Sequence, residues 1–347
     1  FGLVAWGAVA PAWRVANYGD DDARVIEGAI LAAACLESDR WNMPITRALL
    51  ANLRTTGTLG FRGNRIDIPQ LERLGWKHFH DAQTINFAPH YEAALWACYL
   101  WAYAHTEDRE FLDKAKSAIR MTMQAYPDRW LWQNDIERAR MLLTLAWLVR
   151  VEDTGEHRAW LKRMADDLLA HQDSCGAIPA RLGVRGSGHF LAPTRNEEYG
   201  TREVPLIQEN GNSVSDQLYT TGFALLALHE AAAATNDPFY QQAEDKLAAF
   251  LCRVQTRSQR FPYLDGAWFR AFDYGRWDYW SGSGDIGWGA WCVEAGWGQA
   301  WATAALALRI RNTSMWEMTK GLDIARHLGP VRQQMAENEG GPWTRGK

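Results

Sequence analysis

The chain has 347 residues, 47% of them hydrophobic and 22% charged, with a formal net charge of −4. This balance supplies ample material for a buried core and argues against nucleic acid or an anionic membrane as the main partner. No apolar run reaches the length of a membrane span, so membrane insertion is not expected. Residues 1–11 are apolar but too few for an anchor or a complete signal peptide. A chain starting at Phe1 without methionine fits a removed export signal, and a periplasmic or secreted location is the expectation.

Taken in chain order, apolar periodicity predicts helices at 21–37, 43–54, 90–105, 108–126, 135–151, 156–171, 214–235, 237–256, 286–309 and 314–336. Strand-like alternation is scarce. The helices pair, and the turn inside several pairs repeats. His105-Thr-Glu-Asp-Arg-Glu-Phe-Leu resembles Asp153-Thr-Gly-Glu-His-Arg-Ala-Trp-Leu and Thr235-Asn-Asp-Pro-Phe-Tyr, with a weaker copy at Leu36-Glu-Ser-Asp-Arg-Trp41. Each puts Thr, Ser or Asp where the next helix needs a cap.

The first helix of a pair is rich in alanine and leucine, as in Gly28-Ala-Ile-Leu-Ala-Ala-Ala-Cys and Ala93-Ala-Leu-Trp-Ala-Cys-Tyr-Leu-Trp-Ala; the second is more charged. A helix apolar all round is buried, and one with a single stripe lies outside. Five such pairs describe an all-α helical toroid forming a single domain over 1–347. A solenoid would need a fixed short period, which the irregular spacing lacks. The loops before the inner helices, 55–89, 127–134, 172–213 and 257–285, would converge on one mouth. Loops this long usually carry function.

The last of these loops and the helix after it are dense in tryptophan. Trp277, Tyr279 and Trp280 offer flat faces for pyranose C–H groups, with Asp285 as a hydroxyl ligand and Trp288 as a further stacking candidate. Trp288, Trp291, Trp297 and Trp301 also fit the interior of a helix. The five cysteines contain no C-x-x-C, so neither a disulfide framework nor a zinc site is indicated. Cys35, Cys98, Cys252 and Cys292 fall within helical patterns as small hydrophobes, and Cys175 lies in a loop with no partner base.

Glycoside hydrolysis needs two carboxyl groups flanking the scissile bond. Asp20, Asp21 and Asp22 open the first inner helix. Three crowded acids raise at least one pKa, as a general acid requires, although helix capping and the macrodipole also explain acids there. Asp21 and Asp22 are the catalytic candidates, and Asp20 is the cap-like one. Glu197, Glu198, Glu203, Glu209 and Asp216 form a second set, led by Glu209 before the turn pair Asn-Gly and by Asp216, with Ser213 free to cap the helix instead. Asp273, Asp278 and Asp285 suit hydroxyl binding. A substrate carboxylate would pair with Arg138, Arg202, Arg270 or Arg276, of which Arg138 and Arg270 are favoured; Arg138 equally suits a structural ion pair beside Glu137. Among His78, His80 and His90, His90 with Tyr91 is best placed for substrate.

The hairpins, Thr-x-Asp turns and Trp-rich loops resemble the six-hairpin (α/α)6-barrel glycosidases. Asn17-Tyr-Gly-Asp-Asp-Asp-Ala-Arg24, Phe87-Ala-Pro-His-Tyr-Glu-Ala, Glu137-Arg-Ala-Arg-Met141, Glu198-Tyr-Gly-Thr201, Glu209-Asn-Gly211 and Asp265-Gly-Ala-Trp-Phe-Arg-Ala-Phe-Asp-Tyr274 are similar to bacterial proteins encoded among polysaccharide-degradation genes. The resemblance covers most of 17–309 and points to glycoside hydrolase family 154, which implies exo-acting β-glucuronidase activity. One departure is five clear hairpins instead of six.

The expected function is therefore an exo-acting glycoside hydrolase on an oligosaccharide or glycoside, using paired carboxylates and neither cofactor nor metal. The alternatives are a polysaccharide lyase using Tyr91, His90 and Arg138, a sugar 2-epimerase with two opposed histidines, and a glycan-binding protein without catalysis.

Overall fold

The computed structural model describes residues 2–8, 11–181, 210–280 and 297–337. The chain runs α1 (Pro11–Val15), β1 (Ala16–Tyr18), α2 (Gly19–Cys35), α3 (Asn42–Arg54), β2 (Arg65–Asp67), α4 (Ile68–Leu74), α5 (Trp76–His80), α6 (Pro89–Thr106) and α7 (Arg109–Ala125). It continues through α8 (Asp135–Val151), α9 (Gly155–Leu169), β3 (Val214–Asp216), α10 (Gly222–Thr235), α11 (Pro238–Val254), β4 (Ala271–Asp273) and β5 (Asp278–Tyr279). The last elements are α12 (Trp297–Ile310), α13 (Met315–Thr319) and α14 (Ala325–Glu337). None of the described helices is long and apolar enough to cross a membrane.

These elements form two compact units, one from residues up to Arg129 together with those from Met315 on, the other from Trp130 to Ser314. In the first unit α6 packs on α2 and α7, α2 also on α3 and α13, and α14 on α3. Every residue of α6 from Ala93 to Ala102 is buried, whereas α7 buries one stripe through Phe111, Leu112, Ala115, Ala118 and Ile119. That is the inner and outer contrast expected from composition. Strands β1 and β2 pair antiparallel, with Tyr18 opposite Arg65.

In the second unit α8 and α10 pack on each other and are buried nearly all round. Helix α9 packs on α8, and α11 and α12 pack on α10. A small antiparallel sheet has the order β3-β4-β5.

Two copies of the repeated turn share one chemistry, whereas the copy at 36–41 makes no side-chain cap at Ser38 or Trp41. The Thr106 hydroxyl donates to the Ala102 carbonyl at 2.7 Å and accepts from the Asp108 N–H at 3.3 Å, and Asp108 accepts from the Glu110 N–H at 3.2 Å. Thr235 does the same with Ala231 at 2.7 Å and Asp237 at 3.2 Å, and Asp237 accepts from the Phe239 N–H at 2.9 Å. Threonine thus closes one helix while aspartate opens the next. Thr154 caps α9 directly, accepting from His157 N–H at 3.1 Å.

Several expectations need correction. The helix predicted over 214–235 begins at Gly222, because Val214–Asp216 pairs with β4 and Gln217–Thr221 forms a π-helical turn. The helix predicted over 314–336 is two, since the chain turns at 320–324 before Ala325. The loop 55–89 is not featureless: it carries β2, α4 and α5. Helix α2, expected to be buried, hides Ala23, Ile26, Ile30 and Ala33 but leaves Val25 49% exposed. Cys35 and Cys252 are exposed, so they do not act as core hydrophobes.

Candidate functional sites

The first unit brings sequence-predicted residues together where α2 and α6 begin. Tyr18 precedes α2 in an extended conformation without a side-chain cap, so the first turn of that helix relies on its acids. Asp20 is therefore not the cap. It pairs with Arg24 at 3.0 Å, and Arg24 also pairs with Asp21. Of these two carboxylates Asp21 is the more accessible, with 16% of its side chain exposed against 4% for Asp20. The Tyr18 ring, just before α2, stacks on the Tyr91 ring of α6 with centroids 6.2 Å apart and an interplanar angle of 18°. His90 meets Tyr91 edge-on at 4.7 Å but is itself buried.

Asp22 faces inward. Its carboxylate accepts from the Val4 N–H at 2.8 Å and from the Asn17 amide at 3.0 Å through each oxygen. The same Asn17 amide donates to the Val4 carbonyl at 2.6 Å. Burial pushes Asp22 up to about 6, against the pull of Arg62, Asn17 and Val4. The role the structure gives it is to clasp the N-terminal segment.

The sequence reading missed two buried neighbours, Arg62 and Glu92. Arg62 donates to Thr55 at 3.0 Å and to the Asn17 side chain. Glu92, in the first turn of α6, accepts from the Arg62 N–H at 3.1 Å, the Gly63 N–H at 2.7 Å and the Asn86 amide at 2.9 Å. Burial raises Glu92 to about 7. Its sequence signal was an acid one turn into an inner helix, after a loop whose backbone N–H groups need acceptors.

The second unit repeats that device. Asn134 caps α8, accepting from the Glu137 N–H at 3.1 Å. Glu137 accepts from the Trp132 and Gln133 N–H groups at 3.2 and 2.9 Å, and burial raises it to about 8. Arg138 pairs with Asp135 at 2.9 Å, not with Glu137. Burial raises Asp135 to about 6, with Arg138 and Arg181 opposing.

Asp216 is the cap that the sequence assigned to Ser213. It accepts from the Leu218 and Tyr219 N–H groups at 2.9 and 3.1 Å and stands 3.9 Å from buried Arg270, while Ser213 donates to Asp273 at 2.5 Å. The Arg270 guanidinium lies over the Tyr219 ring at 5.3 Å. Burial raises Asp216, with Arg270 opposing.

The tryptophan loop is a hairpin where it is described. Trp277 sits at its tip, 46% exposed, with its ring edge-on to Phe272 at 5.3 Å. Tyr279 packs on Phe269 at 4.4 Å, and Trp280 packs against Val214 and Ala271. Asp273 ties the turn together: burial would raise it, but Ser213 and the N–H groups of Arg276 and Gly275 hold it below the usual carboxylate range. Trp301 is buried against Phe223 at 5.5 Å. Glu197, Glu198, Arg202, Glu203, Glu209, Asp285, Trp288 and Trp291 lie outside the described residues. Among the described residues no group of three or more His, Cys, Asp or Glu could hold a metal ion.

No protein-family profile matches the sequence, and no curated protein is significantly similar to it. Solved structures do share its fold. A sugar epimerase from a ruminal bacterium is 12% identical over 99% of this chain and 82% of its own, at a TM-score of 0.56. A polysaccharide lyase is 12% identical over 92% and 76%, at 0.52. An unsaturated glucuronyl hydrolase from Bacillus sp. GL1 is 16% identical over 86% and 76%, at 0.50. These likenesses show the all-α, helical-toroid fold class that the sequence predicted. They do not single out glycoside hydrolase family 154.

Proposed function

We propose that the chain is a glycan-processing enzyme, an exo-acting glycoside hydrolase whose substrates include a β-glucuronide. The observation that carries this reading is the start of α2, where Asp21, the more exposed of the two carboxylates on Arg24, follows three residues after Tyr18 of the stacked Tyr18–Tyr91 pair. A carboxylate in an ion pair is the form that a base or nucleophile uses, and flat rings suit a sugar face. Glu209, which lies outside the described residues, stays the candidate for the second carboxyl on its sequence alone. The neighbours' names support a sugar substrate, since they describe an epimerase, a lyase and a glucuronyl hydrolase.

Asp22 drops out as a catalyst in this reading, because its oxygens are spent on Val4 and Asn17 inside the fold. Asp216 drops out for the same reason, being committed to a helix cap.

Purified protein tested on aryl glycosides, uronides included, decides the matter. Cleavage of the β-glucuronide should fall about a thousandfold in Asp21→Asn and in Glu209→Gln. Silence across the panel sinks the hydrolase. The Tyr91–His90 contact favours a lyase as the second reading. A lyase would give an ultraviolet-absorbing product from a polyuronate, because elimination leaves a new double bond.

A further inference from the structure

From Tyr91 and Tyr18 a row of aromatic rings continues onto the N-terminal segment. Trp13 and Trp6 lie 4.9 Å apart, Trp6 and Tyr18 5.6 Å apart, and Tyr18 leads to Tyr91. All four rings are only partly buried, unlike Trp96, Trp101 and Trp147, which the core encloses completely. The row is fixed in place from behind. Asp22 and Asn17 hold both polar groups of the Val4 peptide, and the Trp6 N–H donates to the Ala16 carbonyl at 2.8 Å, adding the segment beside β1.

A polar pair borders the rings. Arg65 stands over the Tyr18 ring at 5.7 Å and donates to Asp67 at 2.6 Å, with both side chains about two-fifths exposed, at 40% and 42%. A guanidinium donates and a carboxylate accepts, so together they match vicinal hydroxyls.

We infer that Trp6, Trp13 and Tyr18, with Arg65 and Asp67, form a second carbohydrate subsite that takes a neutral pyranose unit of an oligosaccharide. Packing restrains these rings, so binding costs little side-chain entropy; the partly exposed Trp6 and Trp13 offer indole surface to sugar C–H groups, while Tyr18, stacked on Tyr91 with Arg65 over its ring, supports them. The bordering charges of Arg65 and Asp67 balance each other, which suits a neutral unit. The inference takes its ligand class from the glycan-processing reading but does not need hydrolysis. A processed sugar at Asp21 with a further unit on this row implies a natural substrate of more than one sugar.

The test is calorimetric titration of the full chain, in an Asp21→Asn background, with cellotetraose, xylotetraose, mannotetraose and galactotetraose, and with glucose as the single-unit control. At least one tetrasaccharide should bind more tightly than glucose. Its affinity should fall about tenfold in Trp6→Ala and be largely kept in Trp6→Phe. Arg65→Ala, an exposed change that leaves the core untouched, should weaken it severalfold. Tyr263→Ala, at an aromatic 77% exposed in the other unit, should leave it unchanged. No binding by any tetrasaccharide, or full affinity in both Trp6→Ala and Arg65→Ala, overturns the subsite. Cleavage of an aryl glycoside without tetrasaccharide binding overturns the subsite alone. Trp6-dependent binding in a wild-type chain that cleaves nothing overturns the hydrolase and keeps the subsite.

Discussion

His229 Nδ1 stands 2.7 Å from the carboxylate of Glu244, and its other ring nitrogen stands 2.7 Å from the Thr313 carbonyl. Both partners accept, so each favours a proton on the ring nitrogen that faces it, and together they favour the imidazolium. Burial opposes that charge, but the Glu244 hydrogen bond and charge and the Thr313 carbonyl outweigh it and raise the pKa. The contribution is fully present below the unfolded-state value and is lost as pH rises through the raised one. His229→Gln should therefore cost about 2 kcal/mol near pH 6 and progressively less in alkali. Urea unfolding at several pH values checks this; a cost independent of pH would contradict it.

The buried first-turn acids give a second pH effect. Asp22, Glu92 and Glu137 are raised to about 6, 7 and 8, so each favours its protonated form in the folded chain. Their stabilising contribution fades as pH climbs through those values. The melting temperature should be higher at pH 5.5 than at pH 8.5. Glu137→Gln keeps an acceptor for Trp132 and Gln133 without a charge, so it should flatten the alkaline end of that curve. A Glu137→Gln curve parallel to wild type would refute the assignment.

Asp216→Ala should destabilise by roughly 2–4 kcal/mol, because it removes a carboxylate that faces buried Arg270 and removes the cap on Leu218 and Tyr219. Asp216→Asn retains an acceptor for Leu218 and Tyr219, so it should be milder and leave turnover largely intact. Chemical denaturation read alongside activity separates the roles. A well-folded Asp216→Asn protein with turnover abolished would return this residue to catalysis.

Gly176 has φ of +94°, and a Cβ there would collide with the Lys246 carbonyl of α11. Gly60, at φ +88°, meets the Lys114 carbonyl of α7 in the same way. Each seats the loop that follows one helical hairpin onto the outer helix of another. Gly176→Ala and Gly60→Ala should each cost at least about 3 kcal/mol, through strain at positive φ and a backbone clash. Gly75→Ala, also at positive φ but with open space around it, should cost less. Comparable losses in all three, by thermal melting, would mean that the close approach to the outer helix adds nothing.

The helical hairpins were legible because their signals are local. Ala93–Ala102 is apolar all round, and Thr106 with Asp108 spells out a turn that Thr235 and Asp237 repeat. The small sheet was not legible. Val214–Asp216 reads as the start of an apolar helix, and only its partner Ala271–Asp273, far along the chain, makes it a strand. The candidate site was half legible. Asp20, Asp21 and Asp22 are adjacent acids in sequence, yet two share Arg24, Asp21 the more exposed of them, and the third clasps Val4. What separates them is the position of Val4 and Asn17, which no pattern within the helix encodes. The loop-binding role of Glu92 and Glu137 was not legible, because their partners are backbone groups of loops, which carry no residue signature.

The Trp101 indole donates to the Thr319 hydroxyl at 2.9 Å, and His105 reaches the carbonyl of the same threonine at 3.0 Å. Those partners are separated by 218 residues of sequence, and the whole second unit is encoded between them. On the ribosome, Trp101 emerges long before anything exists to receive its N–H. At ordinary elongation speed the wait is roughly 10–40 s. Throughout that interval the first unit is unfinished, and the inserted unit, continuous in sequence, is free to fold first. Synthesis thus completes the second unit's sequence before the first unit's, and a chain stalled before Thr319 would lack the acceptor of the Trp101 N–H.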